Sequence, residues 1–335
     1  MKKFLFLAIA AAAMTSCSQD EVLEVAQKQA ISFGNAFVGN STRAIDPSYS
    51  TTDKGVALTK FNVYGTVNDN NIFNNVLIEK GNAEYGAEWT QKGGTTQYWI
   101  PGANYKFVGI VDGNKENVTQ TTINSSTGMP TSISYAADGA TDLLCATVTR
   151  TAAANENALV AFEFTHLLSK VNFTVTNGSK DATGYSFVVK NINFAGNVSG
   201  SYDVEKAQWN STFATGTISV GNVRTVEENS VKDIVVGTTD QKVELGTEVL
   251  FLPGQYAITF TVDIVYNGNV ITTTDYPATG TYSYTLAQNT AYNFNVTVSI
   301  GQQIKFTATK INEWVNGNTD KSDDTLTEND IVPIV

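Results

Sequence analysis

The residues able to do chemistry in this chain are few, and most read as targets of other proteins' chemistry. There is one histidine, His166, and there are two cysteines, Cys17 and Cys145. A general base or nucleophile-activating histidine needs a Ser or Cys in hydrogen-bond reach, and a metal centre needs further ligands at set spacings. His166 follows Val160, Phe162 and Phe164 at period two, so it points with them toward a core and reads as a hydrogen-bonded structural histidine. Cys145, in DLLCATV (142–148), reads as a small buried hydrophobe. A Cys145/His166 dyad would draw both members from apolar strand patterns, which speaks against a reactive pair. No G-x-S-x-G, H-E-x-x-H, phosphate loop or zinc-ligand spacing occurs. The acidic run Asp320–Asp330 lacks the alternating ligands and the glycine of a calcium loop. No enzyme activity, cofactor or metal is expected. Trp89, Trp99, Trp209 and Trp314 could form a sugar-stacking platform, or each could plug the end of a β-sandwich.

Two residues stand out as sites that other proteins act on. Met1–Lys3 supply a basic start, Phe4–Met14 a short apolar run, and Thr15 and Ser16 then precede Cys17. The run is too short to span a bilayer as a permanent helix, so it reads as an export signal over 1–16. Small residues followed by Cys at its boundary resemble a bacterial lipobox, with Met14 in place of the usual Leu. In that resemblance Cys17 becomes the acylated mature N-terminus, anchored through buried CH₂ groups. Ser18 suits outer-membrane sorting, and the acidic pair Asp20-Glu21 is similar to a surface-export signal. Cys145 is then left without a partner, so stability must come from packing and strand pairing. The second target is Arg43, alone in the polar loop Gly39–Arg43. Just upstream, Ile31, Phe33 and Phe37 share one face of a strand by period two, with Asn35 interrupting.

The elements that must position these residues are β-strands. From Phe61 onward the chain alternates apolar and polar residues between Gly/Asn/Asp turns. The clearest runs are Tyr256–Tyr266, followed by the hairpin pair Asn267-Gly268, and Tyr292–Ile300. No long amphipathic helix is evident. The small, polar Thr149–Ala158 is the best linker candidate. The expected fold is all-β, two tandem antiparallel β-sandwiches over 44–155 and 156–315. They follow a tether and first strand (17–43) and precede a polar tail (316–335). Only 16% of residues are charged and the net charge is −11, which fits an exported surface protein and argues against a nucleic-acid partner.

Several stretches together resemble the fimbrillin family, the lipoprotein pilins of Bacteroidales type V fimbriae. They are the cysteine after a short signal, I-S-F…T-R-A at 31–44, F-N-V-Y-G at 61–65 and Y-W-I-P-G at 98–102. D-L-L-C-A at 142–146, F-E-F-T-H-L-L-S-K-V-N-F at 162–173 and I-N-E-W at 311–314 complete the set. The resemblance implies two transthyretin-like sandwiches, export to the outer membrane and display at the cell surface. It further implies that an arginine-specific protease cuts at Arg43-Ala44, releasing the strand with Ile31, Phe33 and Phe37. A strand from another fimbrial subunit then fills the groove, and the body passes from its acyl anchor into a fimbrium that supports adhesion. The donor could be the tail, whose end carries Ile331, Val332, Ile334 and Val335, or the segment Gln302–Trp314. Two other classes stay open at this stage. One is a surface glycan-binding lipoprotein that keeps its first strand, and the other a secreted β-sandwich hydrolase with carboxylates paired across strands.

Overall fold

The computed structural model describes residues 29–38, 58–81, 89–111, 118–154, 156–179, 183–220, 234–236, 242–244, 249–301, 304–311 and 324–329. These residues form β-strands, with no α-helix among them. The strands are where the alternation placed them. Tyr256, Ile258, Phe260, Val262 and Ile264 are all buried, and so are Tyr292, Phe294, Val296 and Val298. Asn267 and Gly268 both adopt positive φ (47° and 81°), the type I′ geometry whose twist matches a right-handed hairpin.

Numbered in chain order, the described strands run from β1 (Phe33–Val38) to β21 (Asp324–Asn329). A seven-stranded sheet runs β1, β9 (Val160–His166), β8 (Leu144–Thr151), β5 (Asn104–Val111), β2 (Lys60–Val67), β3 (Asn70–Lys80) and β4 (Trp89–Lys92). A six-stranded sheet runs β14 (Lys242–Glu244), β10 (Ser169–Asn177), β19 (Thr290–Val298), β20 (Lys305–Ile311) and β21, with β15 (Val249–Phe251) also on β10. The main path of an eight-stranded sheet is β17 (Asn269–Tyr276), β16 (Gly254–Tyr266), β11 (Tyr185–Asp203), β7 (Pro130–Ala136) and β6 (Val118–Ile123). On it, β12 (Gln208–Ser219) and β13 (Ile234–Val236) pair with β11, and β18 (Tyr282–Leu286) pairs with β16.

The six- and eight-stranded sheets face each other across a core that includes Phe173, Phe187, Phe194, Phe260, Phe294 and Phe306. The seven-stranded sheet encloses a second core by curling on itself. Phe33 of β1 meets Phe73 of β3 at 5.4 Å between ring centroids, although four strands separate β1 from β3 in sheet order. The outer face of its middle strands is covered as well. Tyr64, Val108, Ile110 and Cys145 pack with Ile133, Tyr135, Tyr202 and Leu250 in a third core that joins the two halves.

Three details depart from the sequence-based expectation. Two pairings are parallel, β1 with β9 and β10 with β19, where antiparallel pairing was expected throughout. Both join strands far apart in sequence, as parallel neighbours require, and no local pattern announces them. The expected division into 44–155 and 156–315 does not follow the sheets. β9 lies beyond 155 yet pairs with β8 and β1, while β6 and β7 lie before it and extend the sheet built on β11. Part of the expected linker, Thr149–Thr151, is β8 itself, pairing with β5. Finally, of the alternative donor segment Gln302–Trp314, the structure describes 304–311, of which Lys305–Ile311 is β20. β20 lies between β19 and β21, with Ile304 and Phe306 fully buried, so withdrawing it would open the main core.

Candidate functional site: the first strand and its groove

The first strand is held on two sides by backbone hydrogen bonds. Ile31 N–H donates to Gln97 O (2.8 Å), and Trp99 N–H donates to Gln29 O (2.9 Å), so residues 29–31 run antiparallel to Gln97–Trp99. Val160 N–H donates to Ser32 O (2.8 Å), after which β1 runs parallel to β9. The partner segment Gln97–Trp99 is itself fixed by its turn. Tyr105 OH accepts from Ile100 N–H (2.7 Å), and Gly102, at φ +76°, donates its N–H to Ala152 O (2.9 Å). Pro101-Gly102 thus bends the Y-W-I-P-G stretch so that its first half forms a ladder for Ala30.

The side chains complete the seat. Ile31 and Phe33 are 5% and 4% exposed. The Phe33 ring sits edge-on to Phe73 and to Phe107 (6.0 Å) and stacks on Phe162 (6.2 Å). After Phe33 the period of two breaks. The register with β9 shifts between Gly34 and Phe37, and Ala36, 2% exposed, is buried three residues after Phe33. A one-residue bulge turns the next side chain over, which alternation alone does not anticipate. Phe37 pairs opposite Glu163 through its backbone, and its side chain lies outside the described residues.

The rim of the groove is tied together by Arg150. Its guanidinium donates to Glu156 Oε1 (3.4 Å), Ala158 O (3.3 Å) and Leu159 O (3.4 Å), and lies 5.5 Å over the Trp99 ring. The carboxyl of Glu156 is held below its usual pKa, first by the Ala158 N–H and also by Ala153 N–H and the Arg150 charge, against a smaller push upward from desolvation. Arg150 and Glu156 were not singled out from sequence, although Y-W-I-P-G was. A lone Arg-Glu pair six residues apart carries no signal of its own.

Of the other sequence-derived candidates, Cys17, Arg43, Ala44, Ile331, Val332, Ile334 and Val335 lie outside the described residues. Within the expected tail, Asp324–Asn329 forms β21 and pairs with β20. His166 is 4% exposed and its Nδ1 lies 2.6 Å from Asp142 Oδ2, the hydrogen-bonded structural role expected. Burial pushes the Cys145 thiol up to about 12, the reverse of what a nucleophilic thiolate needs. Among the described tryptophans, Trp99 is buried and the other two are half-buried. Trp89 packs on Phe61 at 5.1 Å, and Trp209 donates to Leu167 O (2.8 Å). None of the three offers a flat exposed platform. No group of metal-ligating side chains occurs among the described residues. A shallow polar cleft of about 630 Å³ opens where β2, β5 and β8 end. Within it, Asn104 Oδ1 accepts from Thr151 Oγ1 (2.8 Å), and Asn68 Oδ1 accepts from Asn104 N–H (2.9 Å).

Known proteins place this architecture. A family model described as fimbrillin-like matches residues 42–314. A solved fimbrial protein from Bacteroides vulgatus superposes with TM-score 0.57 at 14% identity, covering 85% of this chain and 99% of that one. A candidate cell adhesion protein from Bacteroides uniformis gives TM-score 0.52 at 17% identity, covering 86% and 99%. These two likenesses establish the shared all-β, multi-sheet fold. None of the curated proteins matches. On the family match, which spans most of its length, the chain belongs to the fimbrillin-like family.

Proposed function

We propose that this chain is a structural fimbrial subunit that reaches the outer membrane as a lipoprotein through Cys17 and polymerises by strand exchange. An arginine-specific protease cuts between Arg43 and Ala44. The segment ahead of the cut leaves with its acyl anchor, and a strand from another subunit fills the vacated groove. Membership of the fimbrillin-like family supports the broader part of this, a fimbrial subunit at the cell surface with a structural role and fimbrial partners. The finer steps are our reading.

The observation that carries it is the position of β1. It is an edge strand, bonded along β9 and, through residues 29–31, along Gln97–Trp99, yet its side chains reach the centre of the N-terminal core. Removing an edge strand leaves the other pairings of the sheet intact but opens a trough lined by Phe73, Phe107 and Phe162 and frees the edge of β9. Such an edge invites a replacement strand. At ~1.5–3 kcal/mol per large buried side chain, refilling the Ile31 and Phe33 positions contributes about 3–6 kcal/mol before backbone pairing is counted. Losing the old strand costs a similar amount, so exchange is nearly balanced and assembly follows the vacancy.

The test is digestion of the purified full chain by an arginine-specific protease, with an Arg43→Ala chain in parallel. The expected outcome is a product starting at Ala44 from the first chain and no such product from the second. A chain that stays uncut at Arg43 would sink the processing step.

A further inference from the structure

Phe33 decides the fit of the first strand. Its ring is surrounded by Phe73, Phe107 and Phe162, which belong to β3, β5 and β9, at centroid distances of 5.4, 6.0 and 6.2 Å. Three separate strands hold the walls, so they cannot close in on a smaller side chain, and a void there keeps its full cost. The next requirement comes three residues on, where the bulge turns Ala36 inward at 2% exposure. Gly34 imposes less. A Cβ there would come 2.6 Å from Leu159 Cδ1, but Leu159 is 44% exposed and its end can swing away. The groove therefore reads an apolar residue, an aromatic residue two positions later and a small residue three after that.

We infer that the groove selects a strand of this pattern from a different fimbrial subunit, and that residues 316–335 of a second copy of this chain are a poor occupant. This rests on the strand-exchange reading above. Residues 316–335 contain no Phe, Tyr or Trp. Setting Ile331 at the place of Ile31 puts Pro333 into the aromatic cage, and proline also removes a backbone donor. Setting Val332 there puts Ile334 into the cage, a side chain without a ring to meet the three phenylalanines. Leu326, the other large apolar residue of the segment, lies in β21 opposite Ala308. The groove is thus a specificity element that favours mixed assembly over self-assembly, and the occupant it fits brings its own aromatic residue.

The experiment measures peptide binding to full chain that has been cut at Arg43 and separated from its first segment. Three synthetic peptides are compared: residues 29–38, the same peptide with Phe33→Ala, and residues 316–335. The 29–38 peptide is expected to bind the cut protein. Phe33→Ala is expected to weaken it about a hundredfold, the scale of a buried Phe→Ala loss. The 316–335 peptide is expected to bind more than tenfold more weakly than 29–38. Binding of 316–335 within tenfold of 29–38, or a Phe33→Ala loss below tenfold, overturns the selection while leaving strand exchange standing. If the emptied protein binds none of the peptides, the exchange reading itself is overturned, and the selection with it.

Discussion

Replacing Phe33 by Ala in the uncut full chain should loosen one side of the molecule and spare the other. Phe33 is 4% exposed and touches aromatic rings on three strands. Buried Phe→Ala changes cost ~3–5 kcal/mol, and the strands around the cage limit relaxation. Because β1 lies at a sheet edge, the loss should appear first as local opening of β1 from β9. A loss of about 3 kcal/mol corresponds to roughly a 150-fold rise in the open population. Native-state hydrogen exchange reads this at Val160, whose N–H donates to Ser32 O across the junction. Protection there should fall by two orders of magnitude. Phe306→Ala, in the core between the six- and eight-stranded sheets, should leave Val160 nearly unchanged. A fall of less than tenfold at Val160 after Phe33→Ala would refute the idea that this ring holds the first strand.

Three further outcomes follow from the sites described. In a Cys17→Ser chain, Cys145 should resist alkylation at pH 8 while folded and react once unfolded, because burial pushes its thiol up to about 12; rapid native labelling would contradict its seat in the core. Desolvation pushes Asp263 upward in pKa, but the bonds from Lys190 and Thr273 and the Lys190 charge outweigh it and hold the carboxyl below its usual value. That stability is present above the unfolded value of about 3.9 and is lost as pH falls through the lower folded value. Asp263→Asn should therefore flatten the acid limb of a stability–pH curve, and an unchanged limb would contradict the ion pair. Cys17→Ala should move the protein from the detergent phase to the aqueous phase in cells that acylate lipoproteins, and equal partitioning would remove the anchor.

Much of the fold was legible because it is local. In Tyr256–Tyr266 and Tyr292–Val298 the burial of every second residue is written directly in the alternation, and Asn267-Gly268 specifies its own turn. Tyr266 departs from that run, 41% exposed, because it ends the strand beside the hairpin tip. Sheet membership was not legible. Nothing in VAFEFTH tells β9 to join β8 and β1, and nothing in the β6–β7 hairpin points it to β11; Val160, Phe162 and Phe164 of β9 pack with Phe33, Phe61 and Phe107, while Ile133 and Tyr135 of β7 pack with Tyr202, and all of these contacts are long-range. At the candidate site, Ile31 and Phe33 could be read from period two, but Ala36 could not, because a bulge adds one residue to the count. The partners of the strand, Gln97–Trp99, lie in a stretch that drew notice only as a motif. Their backbone role depends on the turn at Pro101-Gly102.

The most direct test of the central claim follows the fate of the first segment after the cut. Full chain cleaved at Arg43 is incubated with purified fimbrial subunits, and native mass spectrometry reads the composition of each assembly. Strand exchange requires that the segment ending at Arg43 be absent from every assembled subunit and accumulate free in step with assembly. Assemblies that form with the segment still seated, or a body that loses the segment yet stays monomeric beside its partners, would contradict it.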